Sequence, residues 1–266
     1  MRQLGEDVRE IIHEQIEFRE LLFQLTSRDL LLRYKQTAMG FGWALLTPVL
    51  NTVIFSVIFM RVAPIETDVP YPLFAYCGLL AWHFTASALR FAVTSLTANA
   101  NLVTKVYFPR EVFPFSAVAV SLVDFGVASI VLVAMMIYYG VGMTAAVLLL
   151  PAVLVVHTAF TMALALLLAM GNLFYRDVKY LFEVLLTFWL FGSAVVYPVD
   201  AVGGLAGAII RANPMTGIVD SYRRVLLFGV PPDPMSFVPA AVVSVALLPA
   251  VWILFHRSEF RFAENI

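Results

Sequence analysis

Six long apolar tracts, separated by short polar stretches, take up most of this chain and constrain its fold before any motif is read. They run approximately 40–60, 73–96, 112–139, 144–170, 180–197 and 237–255. About 20 helical residues cross a hydrocarbon core of roughly 30 Å, and each tract is near that length. A soluble protein would show amphipathic periodicity through most of its length. Here 61% of residues are hydrophobic and only 13% are charged. Near-continuous apolar runs satisfy their backbone hydrogen bonds in lipid as α-helices rather than as barrel strands. The expected fold class is therefore an all-α integral membrane protein with six transmembrane helices.

Six spans in 266 residues leave little chain for an independent soluble domain. The chain divides into a segment at 1–38, a six-helix transmembrane domain at 39–256, and a tail at 257–266. A net charge of -1 gives no reason to expect nucleic acid as a partner, and the single Cys77 excludes an intramolecular disulfide. The charged stretch before the first apolar tract predicts no cleavable signal peptide.

Basic residues set the orientation. Arg2, Arg9, Arg19, Arg28, Arg33, Lys35, Lys105, Arg110, Arg176, Lys179, Arg257 and Arg261 fall on one side of the membrane. Only Arg61, Arg211, Arg223 and Arg224 fall on the other, with Arg90 inside a span. The positive-inside rule then places both termini in the cytoplasm, in a multi-pass inner-membrane protein.

Two segments outside the spans carry patterns of their own. From Leu4 to Leu25 apolar residues recur at helical spacing among Glu6, Glu10, Glu14, Glu17 and Glu20. This predicts an amphipathic helix, lying either on the membrane face or against a soluble partner. Thr26 followed by Asp29 gives a capping-box signal for a second short helix through Lys35. Between spans five and six, at 198–235, Gly203, Gly204 and Gly207 interrupt an apolar run. Asn213-Pro214 then opens a helix that Gly229, Pro231 and Pro232 end. Two helices too short to span predict a re-entrant pair; the alternative is an ordinary loop with one surface helix.

Catalytic patterns are missing from the sequence. No GxxxxGK[ST] phosphate loop, HExxH or paired-cysteine spacing occurs, and His13, His83, His157 and His256 are scattered singly. The reading is of a non-enzyme with no metal and no cofactor of its own. Charges inside spans are expensive and mark functional or structural positions. Arg90 in the second span and Asp124 in the third are expected to pair with each other. One deep carboxylate is too few for ion-coupled transport. The loop at 98–111 contains Asn99, Asn101, Leu102, Lys105, Val106, Tyr107, Phe108 and Arg110. So many apolar residues on a loop beside two cations suggest a surface that docks on a partner.

That loop, with Arg33-Tyr34-Lys35-Gln36-Thr37 running into Gly42-Trp43-Ala44-Leu45-Leu46-Thr47-Pro48, resembles the permease subunits of ABC-2 type polysaccharide exporters. Pro72–Leu79 with Trp82, Tyr175-Arg176-Asp177-Val178, Tyr197-Pro198 and Asn213-Pro214-Met215-Thr216-Gly217 match in order along the chain. The resemblance implies a homodimer joined to two copies of a separate cytoplasmic ATPase, which would bind the ATP and Mg. The implied cargo is a polysaccharide of O-antigen, capsule or teichoic-acid type, carried on a lipid diphosphate. An ABC-2 drug, antibiotic or lipid efflux permease is the alternative.

Further implications of the resemblance concern particular residues. Asn99, Asn101, Leu102, Lys105, Tyr107, Phe108 and Arg110 would form the ATPase-coupling element. The first and fifth spans would line the channel with Trp43, Phe55, Phe59, Phe188, Trp189, Phe191 and Tyr197, whose rings suit the C–H faces of a sliding sugar chain. Arg33 and Lys35 stand where a lipid-diphosphate headgroup would enter, although a topogenic role also accounts for them.

Overall fold

A computed structural model describes residues 13, 16–35, 39–40, 42–105 and 108–262; every regular element among them is helical. Helix α1 covers Arg19–Tyr34. Helix α2, Gly42–Val57, ends in a π turn at Ile58–Val62. Then come α3, Tyr71–Ala98, the short α4, Ala100–Lys105, and α5, Val112–Tyr138. A 3₁₀ turn at Ala145–Leu149 leads into α6, Leu150–Phe174, and α7 follows at Val178–Phe191. The remainder is α8, Gly204–Ala212, then α9, Pro214–Arg223, with a π turn at Arg224–Phe228, and finally α10, Pro234–Ser258.

Five of these are long and apolar enough to cross a membrane: α2, α3, α5, α6 and α10, with the turns that extend them. The tract expected as a fifth span over 180–197 is helical only through Phe191. At about 1.5 Å per residue its 14 residues reach roughly 21 Å, short of a hydrocarbon core of roughly 30 Å. Hydrophobicity continues beyond Phe191, but Gly192 and the left-handed Ala194, at φ 49°, break the helix.

The centre of the bundle is α3. In its most apolar window 83% of residues are buried, against 11% for α2 and 17% for α10. It is also the least apolar of the five. Ala75, Gly78, Ala81, Ala86, Ala88 and Ala92 are all buried along it, and small residues let neighbouring backbones come close. Helices α5 and α6 pack most extensively on it, with α2, α7 and α9 completing the ring, while α10 leans on α6 and α9.

Thr26 opens no second helix, because α1 runs through it; its hydroxyl is buried without a hydrogen-bond partner. The Asp29 carboxylate binds Arg28 at 2.8 Å and accepts from Ser116 Oγ at 2.9 Å. Farther along α1, Arg33 and Tyr34 reach Asp124. The two links run in the same sense, so the second half of α1 follows α5 inward over the roughly 12 Å from Ser116 to Asp124. Most of the expected amphipathic stretch before Arg19 lies outside the described residues. Between the long helices, Asn213 caps α9 by accepting from Met215 N at 3.1 Å, and Gly229 at φ 67° ends its π turn, as the sequence predicts.

Candidate functional site

Three regions carry the residues singled out by the sequence. The first is the segment joining α3 to α5. Asn99 faces inward: its Nδ2 donates to Ser95 O at 2.8 Å and its Oδ1 accepts from Arg28 at 3.1 Å, tying α1 to the end of α3. Leu102 is half-buried, and Val103 and Phe108 are buried in a second apolar core with Phe113, Phe255 and Phe262. Phe108 meets Phe113 edge-on at 5.4 Å. Arg110 donates to Glu259 Oε1 from Nη1 at 2.9 Å and from its backbone N at 3.1 Å.

For Phe108, and in part for Leu102, this corrects the expectation of exposed apolar side chains. Turning α4 by one helical face sends Leu102 and Val103 inward, and Phe108 tucks beneath them. Among the described residues of this segment the outward set is polar: Asn101, Thr104 and Lys105. Val106 and Tyr107 lie outside the described residues. Beside this segment, ligand atoms of Glu111, His256 and Glu259 lie within 4.8 Å of one another, the group of potential metal ligands among the described residues. Arg110 already neutralises Glu259 there, and Glu111 accepts from Trp252 Nε1 at 3.1 Å.

The second region is the face shared by α2 and α7. Phe55 and Phe59 stack at 6.3 Å, and Phe191 meets Phe55 edge-on at 6.4 Å. Trp43 and Phe188 are exposed, at 48% and 72%. Trp189 does not join them. It turns into the bundle against Trp82 at 5.4 Å and Phe160 at 6.1 Å, and its Nε1 donates to Asn213. Helical spacing dictates this division, since about 100° per residue separates Trp189 from Phe188.

The third region, the broken end of α7, was not legible in advance. A helix leaves its last carbonyls without intrahelical partners, and burying them unpaired is costly. Side chains from elsewhere supply the partners. Tyr197 OH donates to Phe191 O. Asn213 Nδ2 donates to Gly192 O at 2.9 Å. Arg223 donates to Ala194 O at 2.9 Å and also to Val195 O. Tyr71 OH donates to Val196 O at 2.7 Å.

Arg223 is the largest fully buried side chain among the described residues, and its guanidinium stacks on Phe74 at 3.6 Å. Gly78 makes room for it: a methyl there would collide with the Val195 carbonyl and the guanidinium. Gly78 and Asn213 stood in the sequence motifs, but Arg223 was read only as an orientation marker. A cavity of about 1150 Å³ opens beside this end, walled in part by Phe59, Tyr71, Pro198, Asp220 and Arg224.

The charges within the spans are arranged differently from the expected Arg90–Asp124 pair. Arg90 donates to both oxygens of Glu183 on α7 at 3.2 Å. Asp124 pairs with Arg33 and accepts from Tyr34 OH at 2.6 Å. Burial, then the carboxylate beside it, pushes the Tyr34 phenol up to about 12, so it stays a donor. The pairing fails because α1 covers the face of α5 that bears Asp124, while Arg90 leaves α3 toward α7. Arg33 also lies over Phe91 at 3.7 Å, whereas Lys35 is exposed.

Comparison with known proteins adds a family match and two relatives. The family model described as ABC-2 type transporter matches residues 20–227. The O-antigen export system permease protein RfbA of Myxococcus xanthus is 30% identical over 259 residues, covering 96% of this chain and 99% of that protein. A protein of the same name from Klebsiella pneumoniae is 27% identical over 247 residues, covering 92% and 94%.

Proposed function

The chain belongs to the ABC-2 type transporter family, and on that premise we propose that it is the membrane subunit of an ATP-driven exporter carrying polysaccharide across the inner membrane. The observation that supports this most is similarity to O-antigen export permeases along nearly the full length of both chains. The exposed rings of Trp43, Phe188 and Phe191, beside the Phe55–Phe59 stack, agree with it. A long polar chain must pass without being held at any one place, and ring faces offer many weak, non-directional contacts.

In this reading α7 and the capped backbone after it make a sixth crossing, with α8 and α9 dipping into the outer leaflet. Both termini lie in the cytoplasm in this reading, which the distribution of basic residues supports. Two copies of the chain face each other through α2 and α7, and a lipid diphosphate carries the polymer to them. A separate ATPase hydrolyses ATP and docks at the α4 segment, where the outward residues among those described are Asn101, Thr104 and Lys105. Phe108 and Arg110 hold that segment from within.

The test is deletion of the gene in its host, followed by separate measurement of cell-surface and intracellular polymer. Export function predicts loss of the surface polymer, accumulation of lipid-linked polymer inside, and rescue by the intact gene. Normal surface polymer in the deletion strain would refute the proposal.

A further inference from the structure

At the α1 end of the bundle, α1, α2, α3 and α5 enclose a chamber of about 400 Å³, within the roughly 300–1,000 Å³ usual for small-ligand sites. Its lining is unusual for an apolar bundle. Away from the span ends, the formal charges in the five long helices are Arg90 and Asp124. Both line this chamber, and Arg33 and Tyr34 reach into it from α1. His83, bonded to Asn51 at 3.0 Å, and the hydroxyls of Ser87 and Ser121 line it as well. Ionisable groups at such depth are costly and mark a functional site.

The charge balance narrows the ligand. Arg33 is neutralised by Asp124, and Arg90 by Glu183. An anion entering the chamber would meet no uncompensated cation, which argues against the diphosphate role expected for Arg33. What remains is a dense set of hydrogen-bonding groups beside flat apolar faces. Trp43 and Phe91 form part of the wall, each 48% exposed and so reachable from outside. Rings that take a C–H face, next to hydroxyl, imidazole and carboxylate groups that take hydroxyls, suit an uncharged sugar ring.

We propose that this chamber binds a glycosyl unit of the exported polymer, as a site distinct from the α2–α7 aromatic face. The proposal rests on the export reading above. One ring face lies on Trp43 or Phe91, and the sugar hydroxyls bond to Asp124, Ser87 and Ser121. Since Arg90 reaches from the chamber rim to Glu183 on α7, occupation of the chamber bears directly on the helix assigned to the channel.

A photo-crosslinking amino acid placed singly at Thr47, Phe91, Phe188 or Val245 tests this in polymer-producing cells that also contain the ATPase. Copurification of the ATPase selects assembled permease, and adducts are stained for glycan and assayed for phosphorus. Thr47 and Phe91 should give glycan-positive adducts and Val245, exposed on α10, none. In the Phe91 variant, an added Trp43→Ala should lower adduct yield about tenfold, and Trp43→Phe should restore it. Glycan adducts at Phe188 but not at Thr47 or Phe91 would overturn the chamber and leave the export reading standing. A phosphorus-positive, glycan-free adduct in the chamber would assign it to a lipid headgroup instead. No glycan adduct at any position would count against both.

Discussion

Helices α3 and α7 both come from apolar tracts, yet they meet their hydrogen-bonding needs in opposite ways. Over its 28 residues α3 keeps its backbone bonds to itself and needs no side chain from elsewhere to complete it, so most of its own side chains are free to pack. After 14 residues α7 stops, and the carbonyls of Phe191, Gly192, Ala194, Val195 and Val196 depend on Tyr197, Asn213, Arg223 and Tyr71. A continuous helix tolerates the loss of one side chain, whereas a broken one is only as secure as the side chains that complete it. Irregular backbone at such a place survives in an apolar setting only when protein or water satisfies it.

The sharpest way to break the contrast is Arg223→Met. It keeps apolar bulk but orphans two buried carbonyls, at about 1–3 kcal/mol each. Thermal unfolding of the purified permease should fall by several degrees, and Arg223→Lys should be intermediate. A change below about 2 °C would mean that the carbonyls are not dependent on this side chain.

Gly78→Ala comes next, at about 1–3 kcal/mol for overpacking, because the methyl meets the Val195 carbonyl and the guanidinium. Gly171→Ala is its control: the added methyl would lie 3.7 Å from Val178 Cγ1, an ordinary contact. Equal stabilities for the two variants would contradict the close fit at Gly78.

Two tyrosines sharpen the comparison further. Tyr71 OH serves a carbonyl outside any helix, whereas Tyr76 OH, at 2.9 Å, serves Ala128 O within the continuous α5. Tyr71→Phe should cost about 1 kcal/mol and Tyr76→Phe less, since Ala128 O keeps its helical partner. The reverse order in unfolding experiments would undo the argument. The smallest effect is expected from the pair Arg90 and Asp124. Their neutral variants should be additive within about 0.5 kcal/mol, while Arg33 and Asp124 should couple beyond it. A double-mutant cycle that couples Arg90 to Asp124 would restore the pairing the sequence suggested.

Much of the fold was legible in the one-dimensional pattern. The long helices α3, α5, α6 and α10 lie within a few residues of their apolar tracts, and Asn213 and Gly229 bound their helix as caps of their type should. Less of the candidate site could be read. The α4 segment was recognised by composition, but Phe108 was assigned to the wrong side. Phe108 belongs to a core assembled from α1, α3, α5, α6 and α10, and no local pattern announces that. Trp189 shares a tract with Phe188 and Phe191, and only the position of α3 and α6 turns its ring inward.

Composition and tract length by themselves determined the solvent of this protein, its helical class and its approximate span boundaries, because lipid imposes the same demand on every exposed segment. Motif order along the chain indicated the family. The tertiary structure decided which charge answers which, where the apolar tract of α7 ceases to be a helix, and what holds it there. Those outcomes depend on groups far apart in sequence: Asp124 lies 91 residues from Arg33, and Arg223 lies 29 from Ala194. Hydrophobicity acts on each segment alone, but a buried hydrogen bond or ion pair exists only where packing brings both partners together.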